Sequence, residues 1–376
     1  MNRLMAPALI AVLVLGVAAP SASDDVGEAA RAGQWQVETM RLPEAWRASR
    51  GAGVVVAVLD TGVNGHHPDL EGAVTQGPDL TGAGRSAGLW GRHGTAMASL
   101  IAGRGHGGGG VIGVAPMAEV LSIRVTLENG DPLREQHRSG GRDALAKGIR
   151  YAADHGADVI SMSLGGGSGA WEGSAAEEEA VQYAIGKGAV LVASSGNDGD
   201  AANRKNFPAA YPGVIAVGAV DRRLEVARFS NRQDYLSVVA PGTEIVTADG
   251  YDSYVVGDGT SSAAAMVAGI AALIKSAHPD MSPYHVRSAI ELGTRRRPAD
   301  GYSRAYGHGV ADALLALRAA GRLGPPAPPS RPGPHFGPGP SQDSRTAVVV
   351  GMLALVATMS AQVLMTHRRR HRRDAT

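Results

Sequence analysis

Short runs of apolar, often β-branched residues alternate with helical segments through the middle of this 376-residue chain. Several runs are apolar at every position, which is typical of strands buried on both faces. Buried strands separated by helices predict an α/β domain of three layers, with a mostly parallel central sheet between two layers of helices. The predicted strands are 54–59, 120–125, 158–162, 189–193 and 214–217, and the predicted helices are 94–103, 143–155, 175–187, 262–277 and 283–292.

An acid, a base and a nucleophile stand where the active site of such a sheet is expected, at strand ends and helix starts. Asp60 ends the first run and precedes Thr61-Gly62, His93 precedes Gly94-Thr95, and Ser261 follows Gly259-Thr260. A Ser hydroxyl becomes a strong nucleophile when a His takes its proton, and an Asp fixes the tautomer of that His. The order Asp, His, Ser is one of the known orders of this triad.

Each of these residues also has a purely structural interpretation. Asp60 could close an Asx-turn, His93 could be a surface or capping residue, and Ser261 or Ser262 could be a helix N-cap. Ser262 is therefore a rival nucleophile. Asn197 follows a further buried strand in the context Gly196-Asn197, where its amide could donate to the oxyanion of an acyl-transfer intermediate. The joint occurrence of the four residue types favours the catalytic interpretation over the structural one.

From about residue 35 to 316 the chain resembles the subtilisin-like (subtilase) serine proteases. Their Asp-Thr-Gly, His-Gly-Thr and Gly-Thr-Ser-x-Ala motifs are matched around the three triad candidates, and their oxyanion Asn falls on Asn197. The resemblance implies a substrate-binding strand that pairs with polypeptide in extended conformation. The residues assigned to substrate binding are Ser163, Leu164, Gly165 and Gly196. Ala265 departs from the family pattern, which has Pro four residues after the nucleophile.

The beginning of the chain has the composition of a secretory signal peptide, predicted over 1–23. Arg3 precedes the apolar run 4–19, and Ser21-Ala22-Ser23 supplies small residues for cleavage. An uncleaved membrane anchor is the alternative. We expect 24–34 to form a short N-terminal arm, too short for a separately folded prodomain, and 35–320 to form the catalytic domain.

The other end predicts a membrane anchor. Residues 321–346 are rich in Pro and Gly and should form an extended linker. Residues 347–365 lack charged side chains and are long enough for one transmembrane helix. The basic tail 366–376 places the C-terminus in the cytoplasm and the catalytic domain outside the cell membrane. This layout is similar to that of the mycosins, membrane-anchored proteases associated with type VII secretion systems, so a secretion complex is an expected partner. A buried core helix is the competing interpretation of 347–365.

Composition limits the other function classes. The chain has no Cys, which excludes disulfides and thiolate metal sites, and a net charge of +1 gives no reason to expect nucleic acid. We expect no cofactor and no metal site, with Asp249, Asp252 and Asp258 in exposed turns and 177–179 on a solvated helix face. A lipase is disfavoured because its triad runs in the order Ser, acid, His, whereas the candidates here run in the order Asp60, His93, Ser261. The remaining alternative is a membrane-tethered scaffold of a secretion complex with a vestigial protease site.

Overall fold

The computed structural model describes residues 22–83, 90–136, 143–165 and 173–323. Most of the predicted signal peptide, most of the linker, and all of the predicted span and tail lie outside these residues. The helices are α1 Ala22–Ala32, α2 Gln36–Thr39, α3 Leu42–Ala45, α4 Arg92–Ala102, α5 Leu133–Gln136, α6 Ala144–Asp154, α7 Ala175–Gly186, α8 Thr260–Ala277, α9 Pro283–Leu292 and α10 Ala313–Ala320.

The strands number thirteen among the described residues. In chain order they are β1 Val55–Asp60, β2 Val74–Asp79, β3 Arg104–His106, β4 Gly109–Ile112, β5 Glu119–Arg124, β6 Val159–Met162, β7 Val190–Ser194, β8 Ile215–Val220, β9 Leu236–Pro241, β10 Ile245–Asp249, β11 Ser253–Gly257, β12 Thr294–Arg295 and β13 Val310–Ala311. Each strand and helix predicted from the sequence is present and begins within two residues of its predicted start.

Nine strands form the central sheet, in the order β12-β13-β9-β8-β7-β6-β1-β5-β2. All neighbouring pairs are parallel except β12 with β13, so the predicted mostly parallel sheet is confirmed. The strand order reverses at β1, which has β5 on one side and β6 on the other. A crevice at the carboxyl ends of the strands is expected beside such a reversal, because the connections leave the sheet in opposite directions there.

The two faces of the sheet are covered by different helices. One core cluster joins the sheet to α4, α8, α9 and α10, and the other joins it to α6 and α7. The helix α8 runs through Ala265 without a break, and nearly all of its side chains are buried. Among the described residues only α8 is long and apolar enough to cross a membrane, and 83% of it is buried inside the domain. It is therefore the core helix of the fold.

The N-terminal helix α1 lies against the hairpin formed by β3 and β4. The Arg31 guanidinium donates to the carbonyls of Gly109 and Gly110 at 2.8 and 2.7 Å. Gln34 exchanges two hydrogen bonds with the backbone of Ile112, at 2.8 and 3.0 Å. Arg31 and Gln34 thus attach the end of α1 and the residues that follow it to the β3–β4 hairpin through partly buried hydrogen bonds.

Two expectations about acidic residues are wrong. Glu178 is only 3% exposed, so the run 177–179 does not lie on a fully solvated face of α7. Asp249 is not in an exposed turn, because it ends β10 and forms a two-pronged ion pair with Arg92, at 2.5 and 2.8 Å. Both errors have one cause, since a partner distant in sequence leaves no trace in the local pattern.

Candidate active site

Asp60 and His93 meet at the carboxyl end of β1. Asp60 is the last residue of that strand and is completely buried, and its Oδ1 lies 2.7 Å from His93 Nδ1. The same oxygen accepts a hydrogen bond from Thr61 N at 2.7 Å. The His93 side chain keeps 34% of its surface exposed to the cleft. With the Nδ1–H donating to Asp60, the opposite ring nitrogen is the one that carries a free lone pair.

The start of α4 sets the position of His93. Gly94 packs so closely on the loop after β1 that an added Cβ would overlap Gly62 O and lie 3.2 Å from Asp60 Cβ. Only glycine therefore fits at this position without displacing the loop after β1. The amide of Gly94 donates to Thr61 Oγ1 at 3.1 Å, and the amide of His93 donates to Glu128 Oε1 at 2.9 Å. The helix start is thereby fixed to two separate loops.

Ser261 is the second residue of α8 and lines the same cleft as Asp60 and His93, a cavity of about 1060 Å³. Its hydroxyl lies 3.5 Å from the carbonyl oxygen of Ser163, and among the described residues it forms no hydrogen bond with His93. Ser163 Oγ in turn donates to the Ser261 carbonyl at 3.0 Å. Ser261 is partly exposed, whereas the rival Ser262 is only 6% exposed.

Asn197 faces the cleft in a fixed orientation. Its Oδ1 accepts from both the amide and the hydroxyl of Thr260, at 2.9 and 2.8 Å. This leaves the Nδ2 amide group as the outward-facing donor. An ideal Cβ built on Gly259 would lie 3.6 Å from Asn197 Nδ2 and 3.7 Å from Ser261 N. The two donors therefore flank one small open volume at the start of α8.

Three of the four predicted substrate-binding residues line the cleft. Ser163, Leu164 and Gly165 continue directly from β6, and the Leu164 carbonyl accepts from Ser194 Oγ at 3.1 Å. Gly165 and Gly196 adopt φ angles of 127° and 108°, a region that favours glycine. The structure therefore places Ser163, Leu164 and Gly165 in the same cleft as Ser261, whereas Gly196 is buried and does not line it.

The charges around His93 determine its protonation. Burial alone would lower the pKa of His93, but the negative charge and hydrogen bond of Asp60, with a further contribution from Glu128, outweigh burial and raise that pKa above 6.5. The positive charge of Arg134 opposes the increase. His93 is consequently a stronger base than a free imidazole, and its protonated form persists to higher pH.

Three contributors to the site were not among the predicted residues. Thr260 orients Asn197, Glu128 contacts His93, and the Arg92–Asp249 ion pair joins the start of α4 to the end of β10. The sequence places Glu128 shortly after a predicted strand, which indicates the edge of the sheet where it lies but not its contact with His93. Within the described ranges, no group of three or more His, Asp or Glu residues is arranged to hold a metal ion.

Many known proteins are similar to this chain in sequence or in structure. Residues 51–309 match the profile of the Subtilase family. Thermitase from Thermoactinomyces vulgaris is 38% identical over 258 residues, which cover 69% of this chain and 87% of thermitase. The structure of MycP1 from Mycobacterium smegmatis superposes with a TM-score of 0.63 at 30% identity, over 75% of this chain and 84% of MycP1.

A second secretion-associated structure is similar to the same extent. The MycP3 protease from the type VII (ESX-3) secretion system has a TM-score of 0.63 at 31% identity, over 76% of this chain and 88% of MycP3. The resemblance to the subtilases, drawn from the sequence motifs, is therefore confirmed, and mycosins, whose resemblance was drawn from the layout of the chain, are among the structural neighbours. The family match over more than half of the chain, together with the identity to thermitase, establishes that this protein belongs to the subtilase family of serine proteases.

Proposed function

We propose that the protein is an endopeptidase that cleaves polypeptides through an acyl-enzyme on Ser261. The observation that carries this proposal is the 2.7 Å contact of Asp60 with His93, in a cleft that Ser261 also lines. Asp60 holds the imidazole with Nδ1–H toward the carboxylate, so that Nε2 is free to take the Ser261 proton. A change of the Ser261 rotamer releases its hydroxyl from Ser163 for this step, since apo active sites often tighten only on binding substrate.

The reaction then follows from the positions of the donors. The Ser261 Oγ–carbonyl bond forms, and the carbonyl oxygen becomes an oxyanion between Asn197 Nδ2 and the Ser261 amide. His93 returns its proton to the leaving amine as the C–N bond breaks, which leaves the acyl-enzyme. Water, deprotonated by the same imidazole, hydrolyses the ester and regenerates the Ser261 hydroxyl.

The substrate is held as an added strand. The run Ser163-Leu164-Gly165 extends β6 past its paired residues, and the Ser163 carbonyl faces the nucleophile at 3.5 Å from its Oγ. A peptide N–H can take this carbonyl as its acceptor, so main-chain pairing would place the scissile carbonyl near Ser261. Recognition through the backbone requires an extended substrate segment.

Covalent labelling tests the enzymatic proposal against a scaffold with a vestigial site. A fluorophosphonate probe should label the wild-type chain once, and Ser261→Ala should remove the label while the protein remains folded. Ser262→Ala is the matched control and should label normally. Absence of label on the folded wild type would favour the scaffold, whereas loss of label in Ser262→Ala alone would make Ser262 the nucleophile.

We further propose that the catalytic domain is anchored outside the cell membrane by 347–365, with 366–376 in the cytoplasm, and that it works with a type VII secretion complex. The proposal is supported by the apolar stretch, by the arginines that follow it, and by the similarity to MycP1 and MycP3. A tethered domain would act on polypeptides near the membrane.

The lack of Cys makes this topology simple to test. A membrane-impermeant maleimide applied to intact cells should label Ser341→Cys and should spare Ala375→Cys until the cells are opened. Equal labelling of both positions in intact cells would contradict a single span between them. Co-purification with secretion components, lost when 321–376 is removed, would support the proposed partner.

A further inference from the structure

Glu128 caps a helix to which it does not belong. It lies in the loop after β5, and its Oε1 accepts a hydrogen bond at 2.9 Å from the backbone amide of His93, 35 residues earlier in the chain. That amide is in the first turn of α4, where it has no partner within the helix. The N-cap residue Gly91 cannot serve, because it has no side chain to accept the bond.

We propose that Glu128 is a positioning residue for the general base, which it fixes by capping α4 at His93 and supports by holding a second negative charge beside the imidazole. This inference rests on the proposed role of His93 and adds to it a residue outside the triad. Without Glu128 the His93 amide would lose its acceptor, and of the two amide bonds that tie the first turn of α4 to other loops only that of Gly94 to Thr61 would remain.

A carboxylate suits this position for two electrostatic reasons. The positive end of the α4 dipole favours an anion at its first turn. The anion bonded to the His93 amide is also close enough for its charge to add to that of Asp60 in favouring protonated His93. The other charges around His93 are Arg134 on α5, whose effect is opposite, and Arg92, which is paired with Asp249 of β10. Glu128 is thus the second anion acting on the base, after Asp60.

Two substitutions of Glu128 distinguish its hydrogen bond to the His93 amide from the effect of its negative charge. Glu128→Gln keeps an amide oxygen that can accept from the His93 amide but removes the charge. The pH midpoint of kcat/KM should then move to lower pH, with kcat above the midpoint changed less than about threefold. Glu128→Ala removes both contributions, and kcat should fall by a further factor of about ten, since small misplacements of a catalytic group are costly.

Glu119→Gln is the matched control. Glu119 is exposed and begins β5, whereas Glu128 follows the other end of the same strand, so both substitutions remove one charge from the same part of the chain. A change in net charge alone would shift both variants equally. A purely structural cap would leave the midpoint of Glu128→Gln unchanged.

The experiment measures the titration of His93 in the full-length protein by hydrogen–deuterium exchange at the imidazole C2, with mass spectrometry of the peptide that contains it. This measurement does not require enzymatic activity. A His93 midpoint that is lower in Glu128→Gln than in both wild type and Glu119→Gln supports the inference. A midpoint equal to that of either protein overturns it. If the wild type is inactive while the His93 midpoint still shifts, the proposed function fails and the role of Glu128 in tuning His93 stands.

Discussion

The helices that carry His93 and Ser261 begin alike but use their first turns in opposite ways. Both have glycine at the N-cap, and neither glycine supplies a capping side chain. In α4 the protein itself occupies the free amides, since His93 N donates to Glu128 and Gly94 N donates to Thr61. In α8 the Thr260 amide donates to Asn197, but no described residue accepts from the Ser261 amide. A closed helix start fixes a base, whereas an open one keeps a donor available for developing charge.

The two helix starts also contain glycines with different roles, Gly94 in α4 and Gly259 before α8. Glycine is required at position 94 because the Gly62 backbone lies so close that a Cβ would overlap it. Gly259 has room for a Cβ, but that Cβ would occupy the volume between Asn197 Nδ2 and Ser261 N. The first glycine allows two elements to pack closely, and the second leaves space in front of the donors. Substitutions at the two positions should therefore fail for different reasons.

The largest predicted effect concerns the nucleophile. Ser261→Ala should lower kcat by about 10⁶, a figure measured for a subtilisin rather than for this protein, because it removes the atom that forms the acyl-enzyme. Steady-state hydrolysis of a peptide amide substrate measures the loss, and an unchanged thermal midpoint shows that the fold persists. Ser262→Ala, the neighbouring control, should retain activity within about tenfold of wild type. Loss of activity in Ser262→Ala but not in Ser261→Ala would show that Ser262 is the nucleophile.

The next effect comes from the buried carboxylate. Asp60→Asn should lower kcat by about 10⁴, because the amide favours the wrong imidazole tautomer. This is the loss caused by the same change in the Ser-His-Asp triad of a protease with a different fold. It should also lower the pKa of His93, since Asp60 provides the leading contribution that raises it. A pH–rate profile measures both effects together. A variant with wild-type kcat would show that the 2.7 Å contact is only structural.

Alanine substitutions of Gly259 and Gly94 test the difference between the two helix starts. Gly259→Ala should leave the free energy of unfolding within about 1 kcal/mol of wild type, because its backbone is extended at φ 164° and no non-adjacent atom approaches its Cβ within 3.6 Å. Its kcat should fall by about tenfold, less than the 10²–10³ that loss of an oxyanion donor costs in a subtilisin.

Gly94→Ala should show the opposite pattern. Its methyl group overlaps the Gly62 carbonyl, so the free energy of unfolding should decrease by about 1–3 kcal/mol. Urea denaturation and steady-state kinetics measured on both variants separate the two roles. If Gly259→Ala were as destabilised as Gly94→Ala and fully active per folded molecule, the distinction between open and closed helix starts would be lost.

The smallest effect is the dependence of stability on pH. The pKa of His93 is raised in the folded protein, so protonation of His93 stabilises the fold. This contribution is complete below pH 6.5, the ordinary pKa, and is lost as pH rises through the raised pKa. Activity should increase over the same interval, because the base must be neutral. Urea denaturation of wild type and His93→Gln from pH 5 to 9 should show a stability difference that shrinks with pH. A difference that grows with pH would contradict the sign of the shift.

Much of this site follows from local sequence patterns. A buried apolar run that ends in Asp60, and helices that begin at His93 and Ser261, are enough to bring the three to one edge of a parallel sheet. The assignment of Ser163 to Gly165 as substrate-binding residues required the family resemblance, since a Gly-rich exit from a strand has no specific pattern. The predicted ends of the chain were not tested by the structure and remain predictions.

The remainder depends on contacts between distant segments. Asp249 resembles a turn residue until Arg92 is placed opposite it, and Glu178 resembles a solvated residue until α7 packs on the sheet. Glu128 acquires its role only because β5 lies beside β1. These contacts form only in the tertiary fold, so they cannot be predicted from a short stretch of neighbouring residues. The antiparallel hairpin of β10 and β11 was not predicted from the sequence either.

A structure of the protein with a peptide aldehyde bound is the most direct test of the difference between the two helix starts. We predict a hemiacetal on Ser261 Oγ whose oxygen lies about 2.7–3.1 Å from both Asn197 Nδ2 and Ser261 N. His93 should lie within hydrogen-bond distance of Ser261 Oγ, with Glu128 still bonded to the His93 amide. An adduct on Ser262, or a hemiacetal oxygen turned away from both donors, would contradict the account.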